Sequence, residues 1–261
     1  MGHINFDNPV RIRKKEAVRE MPKISKPSNT LCEACQHDMQ TKFQFKTKEQ
    51  FASHPLQLIH NDPCFPLRTK GLDGELYFML MIDDYTRMTT VNFLKKKSEA
   101  FECFKIYKEL FKNETDLKIK CLRSDNGGEF TSKLFQQYCD ENGIKRKFSI
   151  ARTPQQNGVA GRKNRTIQEM GRTMLKDSKL DEKLWVQEID TTVFIINRSL
   201  LRNNCNKTPY ELWKRKPANV KYFRIFGRKF YIKKEDQNLG KFESRFDEGI
   251  FVGYSCKKKG L

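Results

Sequence analysis

Leu76-Tyr77-Phe78-Met79-Leu80-Met81-Ile82 is an unbroken apolar run, followed by Asp83-Asp84-Tyr85-Thr86-Arg87 and then by Thr89 to Leu94. A run this apolar, without polar alternation, reads as a central strand buried on both faces. The polar residues after it read as a turn, and 89–94 as the antiparallel return. A strand covered on both sides implies a sheet with helices packed on it.

Reading upstream, Leu56 to His60 is a strand ending at Asp62, closed by Pro63 and Pro66. Reading downstream, Ser98 is expected to cap a helix carrying Phe101, Phe104, Tyr107, Leu110 and Phe111 inward. Leu117 to Leu122 alternates like a half-buried strand and runs into Asp125-Asn126-Gly127-Gly128, a turn signal. Ser132 to Asn142 reads as a helix with Leu134, Phe135 and Tyr138 facing in and Gly143 as its stop. Ile144 to Ile150 is a further strand. After the polar loop Pro154 to Gly158 come helices over about 160–177 and Glu182 to Arg198, and beyond Pro217 strands return (Phe223 to Ile232, Gly249 to Tyr254). The expected class is α/β: a mixed five-stranded sheet with flanking helices over 51–215, and a β-rich segment over 216–261. Residues 1–50 are basic and polar, with no long periodic element, and are expected to be a small, loosely folded appendage.

Fifty-one Lys and Arg against 32 Asp and Glu give a net charge of +19. That excess points to a polyanionic partner, and nucleic acid is the commonest, because clustered cations release condensed counterions on binding phosphate. No apolar stretch is long enough for a membrane span, and the N-terminus lacks the apolar core of a secretion signal. The eight cysteines are scattered except for Cys32-x-x-Cys35, so reduced thiols and a nuclear or cytoplasmic setting are expected.

Two carboxylates stand at strand ends, Asp62 and Asp125. Ligands gather at the ends of neighbouring sheet strands. Paired aspartates suit hard divalent cations such as Mg²⁺ or Mn²⁺, which serve in-line phosphoryl transfer. By themselves, strand-end aspartates are more often caps or turn formers.

Longer motifs decide the matter. His60-Asn61-Asp62, Ile82-Asp83-Asp84-Tyr85-Thr86-Arg87, Arg123 to Phe130 (RSDNGGEF), Thr153 to Ala160 (TPQQNGVA), Asn197-Arg198, Thr208 to Trp213 (TPYELW) and Gly249 to Tyr254 (GIFVGY) resemble copia-type retrotransposon integrases over essentially the whole chain. The resemblance implies an RNase H-like core, transfer of element DNA into target DNA, an N-terminal zinc module and an SH3-like C-terminal segment. It also implies an Asp, Asp, Glu triad. Asp62 matches the first position and Asp125 the second. The third falls on Gly161, 36 residues after Asp125. Where the family reads Gly-Val-Ala-Glu-Arg, this chain has Gly158-Val159-Ala160-Gly161-Arg162, with both flanks intact. Two dications about 4 Å apart repel by roughly 16 kcal/mol at an effective dielectric near 20, and two carboxylates offset less of that than three. The expectation is an intact fold with defective chemistry. Glu129 and Glu169 are expected to lie out of reach as substitutes.

Phe65, in Asp62-Pro63-Cys64-Phe65-Pro66, stands where the family has glycine and is a second departure. Of the four zinc ligands the resemblance implies, His3, Cys32 and Cys35 are matched and the first histidine would precede residue 1; a structural site wants four. Candidate DNA-binding cations are Lys145, Arg146 and Lys147 on the strand before the loop, and Arg162, Lys163 and Arg165 on the helix after it. Two readings stay open: a remnant integrase of an element, or a captured DNA-binding or integrase-interacting protein, either one able to associate with itself or with intact integrase. The incomplete zinc set and an end soon after Gly253-Tyr254 favour the element fragment.

Overall fold

The computed structural model describes residues 7–16, 18–19, 52–64, 66–125, 127–148, 158–202, 205–234 and 244–254. Its centre is a five-stranded sheet built from β2 (Ile59–Pro63), β3 (Tyr77–Asp83), β4 (Thr89–Leu94), β5 (Cys121–Ser124) and β6 (Lys145–Phe148). The order across the sheet is β4-β3-β2-β5-β6. β2, β3 and β4 pair antiparallel, while β5 and β6 run parallel to β2. The sheet is therefore mixed, and its sense of travel switches at β2.

The apolar run does what its composition demands. Phe78, Met79, Leu80, Met81 and Ile82 are all fully buried, and the two-residue period of the strand splits them between two cores. Met79 and Met81 join Ile59, Leu94, Leu122, Phe104 and Phe135 on one face. That face is covered by α2 (Ala100–Thr115), α3 (Gly128–Thr131) and α4 (Lys133–Glu141). Phe78, Leu80 and Ile82 join Ala160, Ile167, Trp185 and Ile189 on the other. That second face is covered by α5 (Gly158–Ser178) and α6 (Trp185–Ser199).

Several local expectations are corrected. Ser98 does not cap α2; a short 3₁₀ turn over Lys97–Glu99 precedes it, and Glu99 at the cap position makes no side-chain capping bond. Ser132 does cap α4, accepting from the Phe135 N–H. Leu110 and Leu134 face solvent, 61% and 69% exposed, because each sits one register step off its helix's inner stripe. β2 begins and ends later than expected, so Asp62 lies inside the strand rather than after it.

The ends of the chain also differ from expectation. α1 (Asp7–Lys14) and β1 (Val18–Arg19) form within the segment expected to be loose. β1 pairs parallel with β7 (Ala218–Asn219), and Ile12, Val18, Ala218 and Val220 share a small core. α7 (Pro209–Lys214), capped by Thr208, brings Trp213 to the face of the main core lined by α2. β8 (Lys229–Lys233) begins well after Phe223, and its hairpin partner β9 covers Phe246–Ile250. Phe226 packs with Met174 and Ile195, so residues before β8 rest on α5 and α6. Among the described residues no helix is long and apolar enough to cross a membrane, and Cys103, Cys121, Cys139 and Cys205 are free thiols.

Candidate active site

The parallel ladder between β2 and β5 pairs Ile59 with Leu122 and His60 with Arg123. Continuing that register by two residues aligns Asp62 with Asp125, on strands about 4.8 Å apart. Both residues lie at the carboxyl ends of adjacent parallel strands, at the point where the sheet changes direction, which is where open α/β sheets form ligand crevices. Asp62 and Asp125 are each half-buried.

Their surroundings differ. Asn164, on α5 and itself only 9% exposed, donates from Nδ2 to Asp62 Oδ2 at 2.9 Å. This bond ties the helix to the strand across a sequence separation of 102 residues. Asp125 accepts from the Gly127 N–H at 3.4 Å. Burial pushes the Asp125 carboxyl up from its ordinary value; the Gly127 N–H opposes this, and the nearby Glu129 carboxylate adds to it. Glu129 folds back so that its carboxyl would lie 2.9–3.0 Å from a Cβ placed on Gly127.

Gly161 lies on the exposed side of α5, three residues before Asn164, and among the described residues a Cβ built there meets nothing within 4 Å. Glu169 is held by Arg165 at 2.7 Å. Among the described residues no three His, Cys, Asp or Glu side chains converge to hold a metal ion. Two carboxylates on adjacent strands, with oxygen donors only, fit a single hard divalent cation and leave a second one short of ligands.

The neighbouring pair Asp83 and Asp84 has a different task. Asp83 accepts from the Leu56 N–H and from both the N–H and hydroxyl of Thr86, and Asp84 accepts from the Ala52 N–H. His60 Nε2 lies 2.9 Å from Asp84 Oδ1 and Arg87 Nη1 lies 3.1 Å from it. Burial alone would raise the Asp84 carboxyl, but the His60 bond, the Ala52 N–H and Arg87 outweigh it and hold it at about 2. These aspartates anchor the segment that leads into β2.

The candidate cations divide by geometry. Lys145 and Lys147 are exposed and, by strand alternation, share the sheet face of Asp62 and Asp125. Arg123 sits between them and His60, since it pairs with Lys147 on one side and His60 on the other; a single arginine within a strand carries no signal of its own in the sequence. Arg146 points to the opposite face. There its Nη2 donates to the Phe130 carbonyl at 2.8 Å and the guanidinium lies over Phe135 and Phe148, so its task is packing. Arg162 and Arg165 are exposed on α5. Lys163 is half-buried, and burial together with the Arg87 cation pushes its ammonium down to about 8. His3, Cys32, Cys35, Phe65 and the loop 149–157 lie outside the described residues.

Comparison with known proteins matches residues 52–154 to the integrase core domain. The chain is 34% identical over 229 residues to a retrovirus-related Pol polyprotein from transposon TNT 1-94 of Nicotiana tabacum, covering 88% of this chain and 17% of that protein. It is 30% identical over 234 residues to the Pol polyprotein from transposon RE2 of Arabidopsis thaliana, covering 89% and 16%. The chain belongs to the copia-type retrotransposon integrases. It spans about one sixth of the length of these relatives. A chain of the simian T-cell lymphotropic virus intasome, solved in complex with PP2A regulatory subunit B56 gamma, shares its fold with a TM-score of 0.54 at 17% identity, covering 84% of this chain and 76% of that one. The mixed sheet with α5 and α6 on one face and α2 to α4 on the other is thus the RNase H-like core of an integrase.

Proposed function

We propose that this integrase core holds DNA beside a two-carboxylate site that is unable to complete strand transfer. The observation that carries the reading is Gly161. It occupies the exposed start of α5 beside Asn164 and Asp62, and no described carboxylate converges with Asp62 and Asp125 in its place. Asp62 and Asp125 would hold one Mg²⁺ or Mn²⁺. Such an ion supplies charge neutralisation to a scissile phosphate and acidity to an attacking hydroxyl or water. With two carboxylates the second ion of a paired site lacks a ligand, so the attacking and leaving oxygens are not stabilised together.

Binding needs only placed cations. Lys145, Lys147 and Arg123 beside the carboxylate pair, with Arg162 and Arg165 on α5, form the surface we assign to the phosphate backbone. Lys163, half-buried on α5, we assign to the same surface as its inner cation. The test is paired: fluorescence anisotropy with duplex DNA over a salt series, and strand transfer with the same duplex. Salt-sensitive binding without joining is the expected outcome. Absence of binding in low salt, or joining by the unaltered chain, overturns the reading.

A further inference from the structure

Gln168 lies one helical turn after Asn164 on α5, half-buried between that residue and Cys64. Its Nε2 donates to Asn164 Oδ1 at 2.7 Å and to Cys64 Sγ at 3.3 Å. Cys64 is 6% exposed and Asn164 9%, so both acceptors are shielded from water. The chain of donors has a fixed sense. A carboxylate only accepts, so Asn164 must turn Nδ2 toward Asp62; that leaves Oδ1 toward Gln168, which must answer with its own Nε2. Had Gln168 presented an oxygen instead, Asn164 would satisfy it by turning its own oxygen onto Asp62, acceptor against acceptor.

We propose that Gln168 is a positioning residue for Asp62, acting through Asn164 to orient the carboxylate toward a hard divalent cation. This rests on the reading of Asp62 as a metal ligand. Outer groups that orient a ligating side chain change metal affinity strongly even though they never touch the ion. Cys64, at the other end of the relay, is fixed just past β2 by its N–H bond to the Phe78 carbonyl, and so holds the Gln168 amide from the far side.

The decisive variant is Gln168→Glu, which keeps the shape and reverses the polarity. It adds negative charge near the site, so a purely Coulombic effect would tighten cation binding. The relay requires the opposite, a rise of about tenfold in the Mn²⁺ dissociation constant, read by water-proton relaxation. Gln168→Met, which removes the donors without adding charge, should weaken Mn²⁺ by a smaller factor. The companion readout needs no metal: the Asn164 side-chain amide signals in a ¹⁵N–¹H spectrum should move in both variants while the backbone signals of the sheet persist. Unmoved Asn164 signals, or Mn²⁺ binding equal to or tighter than the parent in Gln168→Glu, overturn the relay. Parent protein that binds no more Mn²⁺ than Asp62→Asn refutes the carboxylate-pair reading, and the metal-free amide signals then decide the relay by themselves.

Discussion

Asn164 Nδ2 donates to Asp62 Oδ2 at 2.9 Å, and Gly161 precedes Asn164 by one turn of the same helix. The helix that carries residue 161 is therefore tied to β2 by a bond that does not involve residue 161. On the proposed reading, loss of a carboxylate at 161 leaves this docking in place.

Replacing Asn164 tests that docking. Asn164→Ala removes a buried hydrogen bond to a charged acceptor and should cost about 2 kcal/mol of stability. Urea denaturation of the two proteins reads it, and an unchanged midpoint would show that α5 is held by apolar packing alone.

The cations separate into two classes with different signatures. Lys145→Ala with Lys147→Ala should lower the slope of log K against log salt by about 0.9 per lost phosphate contact, with little change in stability. Arg146→Ala should instead cost about 1–2 kcal/mol, because it strips the Phe130 carbonyl of its buried donor. Equal effects of both substitutions on the salt slope would contradict the division.

A buried carboxyl gives the fold a pH dependence. Glu188, on α6 and 3% exposed, accepts from the Thr192 hydroxyl, and burial pushes it up to about 8, countered in part by that bond and by Arg172. Its folded value lies above its ordinary one of 4.5. The proton is thus held more tightly in the folded state. The stability it contributes is complete below about 4.5 and is lost as the pH rises through about 8. Melting temperature should fall from pH 5 to pH 9 more steeply for the parent than for Glu188→Gln; parallel curves would exclude Glu188 as the titrating group.

The same carboxyl lies across Gly171 on α5. A Cβ at Gly171 would come 1.6 Å from Glu188 Oε1, so Gly171→Ala must displace it, at about 1–3 kcal/mol. Adding Glu188→Ala should recover most of that loss. Strict additivity in the double variant would show that the two side chains do not compete for this space.

Much of the fold was legible because period and charge report burial directly. Phe78 to Ile82 had to be covered on both sides, and it is. The expected pair Asp62 and Asp125 falls into register because parallel neighbours align strand ends. What was not legible depended on partners. Leu110 and Leu134 satisfy a helical stripe in the sequence, but nothing in the stripe says which edge of it meets another element. Arg146 sat in a run of three cations, where strand alternation alone separates it from Lys145 and Lys147; its burial against Phe130 and Phe135 needed α3 and α4 to be placed. Asn164 and Glu188 act through contacts made in space, 102 residues away for one and across a helix pair for the other. The brief apolar content of α1, Val10 and Ile12, is too short for any periodicity to rise above its charges.

On the proposed reading, residue 161 alone separates this chain from a complete carboxylate site. The assay that bears on this is strand transfer and 3′-end processing with Mg²⁺ or Mn²⁺, comparing the parent with Gly161→Glu. Among the described residues nothing lies within 4 Å of a Cβ at 161. A silent parent and an active Gly161→Glu protein are the predicted results. An active parent would contradict the reading outright, since another group would then be completing the site.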